Sequence, residues 1–233
     1  MSGLRILMYH VIGASGEPGA RFVLPVDEFE RQMAWLSNSH FRIVPLESAV
    51  NQLLEGEAPG TDEVAITFDD GTRDQSTLAF PVLERHGFPA TAFIVTAAMG
   101  GAVAWTDWPG IAGRRLMSWD EALGLEPLVR LAPHTRTHRS LPTLPDNELA
   151  GEIRGSREDV EEKTGRAATL FAYPYGHLDD RVVAAVSSAG FTAACSARIG
   201  TNDSVTPPLE LCRYEVRGDR SFARFQQAFV HAG

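Results

Sequence analysis

The sequence predicts an α/β fold built on a parallel sheet, open or closed into a barrel. Three observations predict it. Short apolar, β-branched runs alternate with longer segments whose apolar residues recur at helical spacing. The connections between them are short. The residues able to do chemistry fall where the runs end. A chain of 233 residues, 44% of them apolar, is long enough for one large unit of this kind with a sizeable core. No linker, repeat or low-complexity stretch divides it, so residues 1–233 read as a single domain.

The elements follow in order. Leu4 to Met8 reads as a strand that ends at Tyr9-His10. Gly13 to Gly19, rich in Gly with a Ser and a Pro, reads as a loop. Asp27 to Ser37 reads as a helix with Phe29, Met33 and Leu36 on one face. Phe41 to Val44 is a strand, and Leu46 to Leu54 a short helix. Val64 to Phe68 (V-A-I-T-F) is a buried strand closed by Asp69-Asp70-Gly71. Gln75 to His86 reads as a helix ended by Gly87. Pro81 inside it argues for a start at Pro81 itself, where a missing N–H costs little.

Ala90 to Val95 is the next strand, and Gly100 to Gly113 is irregular. Trp119 to Leu125 is a helix with Ser118 as N-cap. Leu128 to Ala132 is a strand leading to His134. Asp146 to Lys163 is the clearest helix, with Leu149, Ile153 and Val160 on one face and Gly165 past its end. Leu170 to Tyr173 is a strand, Asp179 to Ala189 a helix and Phe191 to Ser196 a strand. Phe222 to Val230 is an amphipathic helix.

Composition limits the partners. Thirty acidic residues against 21 basic give a net charge of −9, which argues against nucleic acid or an anionic membrane surface as the main partner. The apolar run after Arg5 is too short for a signal peptide, and no run approaches the ~18 apolar residues of a transmembrane segment. The expected location is cytoplasmic. Cys195 and Cys212 have no CxxC spacing, and Cys195, within F-T-A-A-C-S, reads as a buried, reduced thiol.

His10, Asp69, Asp70, His134 and Tyr173-Pro174-Tyr175-Gly176 all sit at carboxyl ends of strands, where parallel α/β folds gather their functional groups. Two adjacent acids need a cation beside them or must split their roles, unless they form a solvated turn. His134-Thr135-Arg136-Thr137-His138 is an HxxxH pair, whose imidazoles share one face if the segment is a helical turn. The alternative is two surface histidines. With Asp70 as a third ligand, two neutral imidazoles and a carboxylate describe a catalytic zinc-type site with an open position. Such an ion activates water and polarises a carbonyl. Asp69 is then the general base, and His10 the acid that protonates a departing amine. His40, His86 and His177 read as surface or capping residues, and Arg213 as a structural partner of Glu215.

T-F-D-D-G at Thr67 to Gly71, H-T-R-T-H at His134 to His138 and F-A-Y-P-Y-G at Phe171 to Gly176 resemble the first three motifs of the polysaccharide deacetylases (carbohydrate esterase family 4, the NodB-homology domain). The match runs from Met8-Tyr9-His10 to about Arg213. The resemblance implies a distorted (β/α)7 barrel. It makes Asp69 the base and Asp70, His134 and His138 the ligands of a divalent metal, Zn²⁺ first, with Co²⁺ or Ni²⁺ as alternatives. It gives the Tyr175 N–H a place at the oxyanion. Tyr9, Pro174 and Trp105 are assigned to substrate contact. Trp105 and Trp108 either stack on a sugar ring or pack their loop.

Two departures from the family pattern stand out. Ala172 occupies the position of an Arg that orients the base, so another group, Arg213 or none, must hold Asp69. The late motif with a catalytic His is not evident. L-M-Y-H instead resembles the branch acting on poly-N-acetylglucosamine, in which the barrel is circularly permuted and an N-terminal His supplies the acid. The reaction implied is removal of N-acetyl groups from an N-acetylated glycan or amino sugar. The alternatives are a small N-acyl sugar, sugar nucleotide or lipid-linked sugar as substrate, or an inactive carbohydrate-binding homologue.

Overall fold

The computed structural model describes residues 3–57, 59–60 and 62–231. The chain opens with β1 (Arg5–Tyr9), β2 (Val11–Gly13), β3 (Val23–Pro25), α1 (Val26–Ser37), β4 (Arg42–Ile43), α2 (Leu46–Leu54) and β5 (Glu63–Phe68). It continues through α3 (Phe80–His86), β6 (Ala90–Ile94), α4 (Trp119–Leu123), β7 (Val129–Pro133) and α5 (Asp146–Thr164). It then forms β8 (Leu170–Ala172), α6 (Asp180–Ser188), β9 (Ala193–Cys195), β10 (Tyr214–Glu215) and α7 (Phe222–His231).

β10, β1, β5, β6 and β7 lie side by side in that order, all parallel, and β4 pairs parallel with the start of β5. β8 and β9 form their own parallel pair. Two links join these pieces into a ring. Cys195 at the end of β9 bridges Leu211, just ahead of β10. Across the gap between β7 and β8, His134 Nδ1 meets the Ala172 carbonyl oxygen at 2.8 Å. The path β1–β5–β6–β7–β8–β9–β10 is the distorted (β/α)7 barrel that the family resemblance implies, with its weakest seam between β7 and β8.

Strand alternation sorts the side chains into two apolar layers. Ile6, Ala65, Phe93, Ala132, Ala172 and Cys195 belong to one buried cluster, which Leu46 and Val50 of α2 join. Leu7, Tyr9, Phe68, Ile94 and Phe171 belong to another, shared with Phe29 and Met33 of α1 and Ile153 of α5. Strands buried on both faces read as continuous apolar runs, so the sequence does not show which residues face inward.

That ambiguity decides the fate of Tyr9. Its neighbours Met8 and His10 line the cleft, whereas Tyr9 turns to the helix layer and is 1% exposed. Its hydroxyl donates to Gln32 Oε1 at 2.8 Å, and its ring packs against Phe29 and Phe68. Tyr9 is a core residue and not a substrate contact.

Smaller departures have local causes. Gln75–Ala79 is a π-helical turn that runs into α3, so Pro81 falls in the first turn of α3, where it is tolerated. The 11–25 segment holds the small β2–β3 pair, with Val11 opposite Val23. The Ser118 side chain caps α4 reciprocally with Glu121, and Gly165, at φ 66°, ends α5. Cys195 and Cys212 are both free, and burial pushes the Cys195 thiol up to about 12. Among the described residues no helix is long and apolar enough to cross a membrane.

Candidate active site and metal centre

The site begins where β5 ends. Asp70 and Gly71 adopt left-handed backbone conformations in succession, at φ 73° and 74°. Gly71 bears no strain there, and a Cβ on it would lie 3.0 Å from Ile94 Cγ2. Asp70 costs about 1 kcal/mol in that region, a strain the surrounding contacts must hold. The turn sends the two adjacent carboxylates to different partners.

Asp69 turns to β10. Arg213, 1% exposed, grips it with two parallel bonds: Nη1 donates to Oδ1 and Nη2 to Oδ2, both at 2.7 Å. The guanidinium is itself oriented by Nε donating to the Ser196 carbonyl oxygen at 2.9 Å. Burial alone would raise the Asp69 carboxyl. Arg213, helped by His134 and His10, outweighs it and holds the group below its ordinary value. Asp69 is therefore an oriented, ionised carboxylate. Arg213 does not pair with Glu215, as its spacing suggests. Glu215 pairs with Arg21 and Arg217. Arg213 fills the part that Ala172 leaves open.

Asp70 turns to the histidines. Its Oδ1 lies 3.2 Å from His138 Nε2 and 3.8 Å from His134 Nε2. One ligand atom from each of the three buried residues falls within 4.8 Å of the others. The Ala172 carbonyl beside His134 Nδ1 fixes the tautomer, so Nε2 presents its lone pair to Asp70. Burial pushes His134 down to about 4, which leaves it neutral at pH 7. Burial acts to raise Asp70, but the hydrogen bond and charge of His138, with His10 and His134, hold it well below the carboxylate range. An ionised carboxylate and a neutral imidazole of fixed tautomer converge with a second imidazole. This donor set fits a divalent cation.

The HxxxH segment is a loop and not the helical turn its spacing suggests. Thr135 and His138 are left-handed, at φ 63° and 61°. The His138 N–H donates to Thr135 Oγ1 at 3.0 Å. The N–H groups of Thr96 and Ala97 donate to the carbonyls of Thr135 and Arg136. The His138 ring is stacked by Trp105 at 4.7 Å and met edgewise by Tyr175 at 4.6 Å.

Tyr175 is the fourth left-handed non-glycine residue, at φ 61°, and Gly176 follows at φ 67°. A Cβ on Gly176 would lie 2.4 Å from Ala197 Cβ, so only Gly fits. The Tyr175 hydroxyl donates to the Trp105 carbonyl oxygen at 3.1 Å. Pro174 is buried and sets the turn, but Tyr173 and Tyr175 line the cleft in its place. Pro174 is thus no substrate contact, while Trp105 keeps its place on the wall.

These groups surround an open cleft of about 390 Å³, a size that suits a small ligand or one unit of a chain. His10 lies on its wall beside Phe22, with ring centroids 4.7 Å apart. Gln75 Nε2 donates to the His10 carbonyl at 2.9 Å and to the Asp69 carbonyl at 2.6 Å, tying the two strand ends together. His10 Nδ1 is buried without a hydrogen-bond partner among the described residues. His177 also lines the cleft, with Nδ1 3.0 Å from Ser140 Oγ; it is exposed, as expected, and its N–H donates to the Pro174 carbonyl oxygen to cap the Pro174–Gly176 turn. Among the residues that sequence reasoning missed are Arg21 and Phe22, which reach the cleft from just beyond the Gly13–Gly19 segment read as a loop. Arg213 carried a usable sign, because it follows Leu211 at the inward-facing spacing of two.

Comparison with known proteins agrees with this geometry. A family model described as polysaccharide deacetylase matches residues 56–194. YxkH of Bacillus subtilis (strain 168), whose name places it among the polysaccharide deacetylases, is 26% identical over 197 residues, covering 84% of this chain and 65% of that protein. A poly-beta-1,6-N-acetyl-D-glucosamine N-deacetylase of Staphylococcus aureus (strain N315) is 22% identical over 169 residues, covering 70% of this chain and 57% of that one. The chain thus spans less than two thirds of these curated relatives. Among solved structures, the Streptococcus pyogenes deacetylase PplD superposes with a TM-score of 0.83 at 19% identity, covering 97% of this chain and 98% of that one. IcaB from Ammonifex degensii superposes with a TM-score of 0.81 at 24% identity, covering 100% and 97%.

Proposed function

The chain belongs to the polysaccharide deacetylase family, and from that membership we propose that it is a metal-dependent hydrolase removing N-acetyl groups from N-acetylated amino sugars of an oligosaccharide or polysaccharide. The observation that carries this reading is the pairing of two differently held carboxylates. Asp69 is clamped by Arg213, while Asp70 is turned to His134 and His138. Zn²⁺ fits the His₂Asp donor set, and Co²⁺ or Ni²⁺ are the alternatives. A bound divalent ion supplies Lewis acidity, activating water and polarising the acetamide carbonyl.

The chain's own residues supply the remaining steps. Asp69 accepts a proton from the attacking water, and Arg213 keeps it ionised and aimed. The Tyr175 N–H donates to the carbonyl oxygen as negative charge develops there. His10 gives a proton to the nitrogen as the C–N bond breaks. Water oxygen ends on the acetyl carbon, and acetate and a free amine leave. Trp105, with the exposed rings of Trp108 and Tyr175, offers flat apolar faces to a sugar.

The Staphylococcus aureus relatives named for poly-beta-1,6-N-acetyl-D-glucosamine support an oligomeric substrate, as does the open mouth of the cleft. Arg213 also answers one of the two grounds for an inactive binding homologue, the one that rested on Ala172; the other, the absent late His, is met in this reading by His10. The test is acetate release from N-acetylglucosamine oligomers, compared with a monomeric sugar nucleotide, with and without chelator. Chelator-sensitive release from oligomers is expected. Release from the sugar nucleotide alone would overturn the polymer assignment, and no release from either would overturn the reaction.

A further inference from the structure

We propose that Glu152 of α5 is a positioning residue that holds the loop between His134 and His138 in the shape that aims both imidazoles at Asp70. This inference rests on the metal reading above. The carboxylate is 8% exposed and accepts three hydrogen bonds, all from the loop. Oε2 accepts from the N–H groups of Arg136 and Thr137, each at 2.9 Å, and Oε1 accepts from the Thr137 hydroxyl at 2.5 Å. No Lys, Arg or His among the described residues lies within ion-pair distance of it. A buried carboxylate of that kind is costly unless donors are fixed around it.

The loop needs such a holder. Thr135 and His138 both occupy left-handed backbone without being Gly, on either side of the two N–H groups that Glu152 binds. Strained residues of this sort persist only where their surroundings over-determine them. Successive N–H groups beside a left-handed residue form a concave anion site, and one carboxylate oxygen fills it. α5 adds a second strut. Asp159 Oδ2 accepts from Thr96 Oγ1 at 2.6 Å and from Arg136 Nε at 3.1 Å. Gly155, between the two acids, leaves room for Arg136, whose Cδ would lie 2.6 Å from a Cβ there.

α5 therefore acts on the metal ligands without touching them. Removing Glu152 frees two N–H groups and a hydroxyl, and His138 loses its fixed distance to Asp70. Partners one step removed from a metal change affinity by about 10–100-fold when removed.

The experiment is a Co²⁺ titration of the full chain, read by absorbance and calorimetry, on the wild type, Glu152→Ala, Glu152→Gln, Thr137→Val and Glu158→Ala. Glu152→Ala should weaken Co²⁺ affinity by about 10–100-fold. Glu152→Gln keeps an acceptor for the two N–H groups and should recover most of that loss. Thr137→Val removes only the hydroxyl, on an exposed residue, and should cost a few-fold even if Glu152→Ala fails to fold. Glu158→Ala, exposed on the same helix, should titrate like the wild type. Wild-type affinity in Glu152→Ala or in Thr137→Val would overturn the proposal and leave the metal centre intact. A wild type that binds no Co²⁺ would overturn the metal reading and this inference with it.

Discussion

Replacing Arg213 by Met tests the link between the barrel seam and the base. The side chains of Arg213 and Asp69 are 1% and 4% exposed and share two charge-assisted bonds of 2.7 Å. Removing one partner of a buried pair leaves the other charge uncompensated, at a cost of about 3–5 kcal/mol. In a chain of this size each kcal/mol lowers the melting temperature by about 2–4 °C, so the loss is roughly 6–20 °C. The pH dependence has a definite sign. In the wild type the folded carboxyl titrates below its unfolded value of about 3.9. Its stabilising contribution is full above that value and is lost as pH falls through the lower folded one. In Arg213→Met, burial acts without the guanidinium, so the carboxyl titrates higher. The acid limb of kcat/KM for acetate release then moves to higher pH. The assay is that pH profile together with calorimetric melting. An unmoved acid limb with a melting temperature within about 2 °C of the wild type would refute the reasoning.

Two further outcomes follow from the same geometry. Burial lowers His134 from 6.5 to about 4, so the unfolded chain binds this proton before the folded one does. Metal-free protein should lose up to about 3 kcal/mol between pH 6.5 and 4 in urea unfolding, a slope that His134→Gln flattens; identical slopes would contradict it. Ala172→Arg restores the family's usual residue, but Ala172 is fully buried and Arg213 already grips Asp69. The variant should unfold at lower temperature and turn over more slowly, and a stable, fully active protein would show that the two arginines are interchangeable.

The strands, most helices and the chemistry-bearing strand ends were legible because they are local patterns. V-A-I-T-F followed by two acids marks a strand end in any context. The position of Arg213 beside Asp69 was not local. It depends on how a short β10 closes the ring, and the pair is separated by 144 residues. Tyr9 misled because Ile6, Leu7 and Met8 make both faces of β1 apolar in sequence, and Arg5, which shares the Tyr9 face, is itself buried. The HxxxH spacing suggested a helix because a loop with Thr135 and His138 in left-handed backbone carries no glycine to announce it. Among the described residues, the four left-handed non-glycine ones, Asp70, Thr135, His138 and Tyr175, all lie at the site. They are set by contacts across the barrel and not by their own preferences.

The measurement that tests the central claim most directly is Asp69→Asn, assayed for bound metal by mass spectrometry and for acetate release on N-acetylglucosamine oligomers. The division of roles between the two acids predicts wild-type metal content with kcat reduced by about 10²–10⁴-fold. Near wild-type turnover, or loss of the metal, would contradict it.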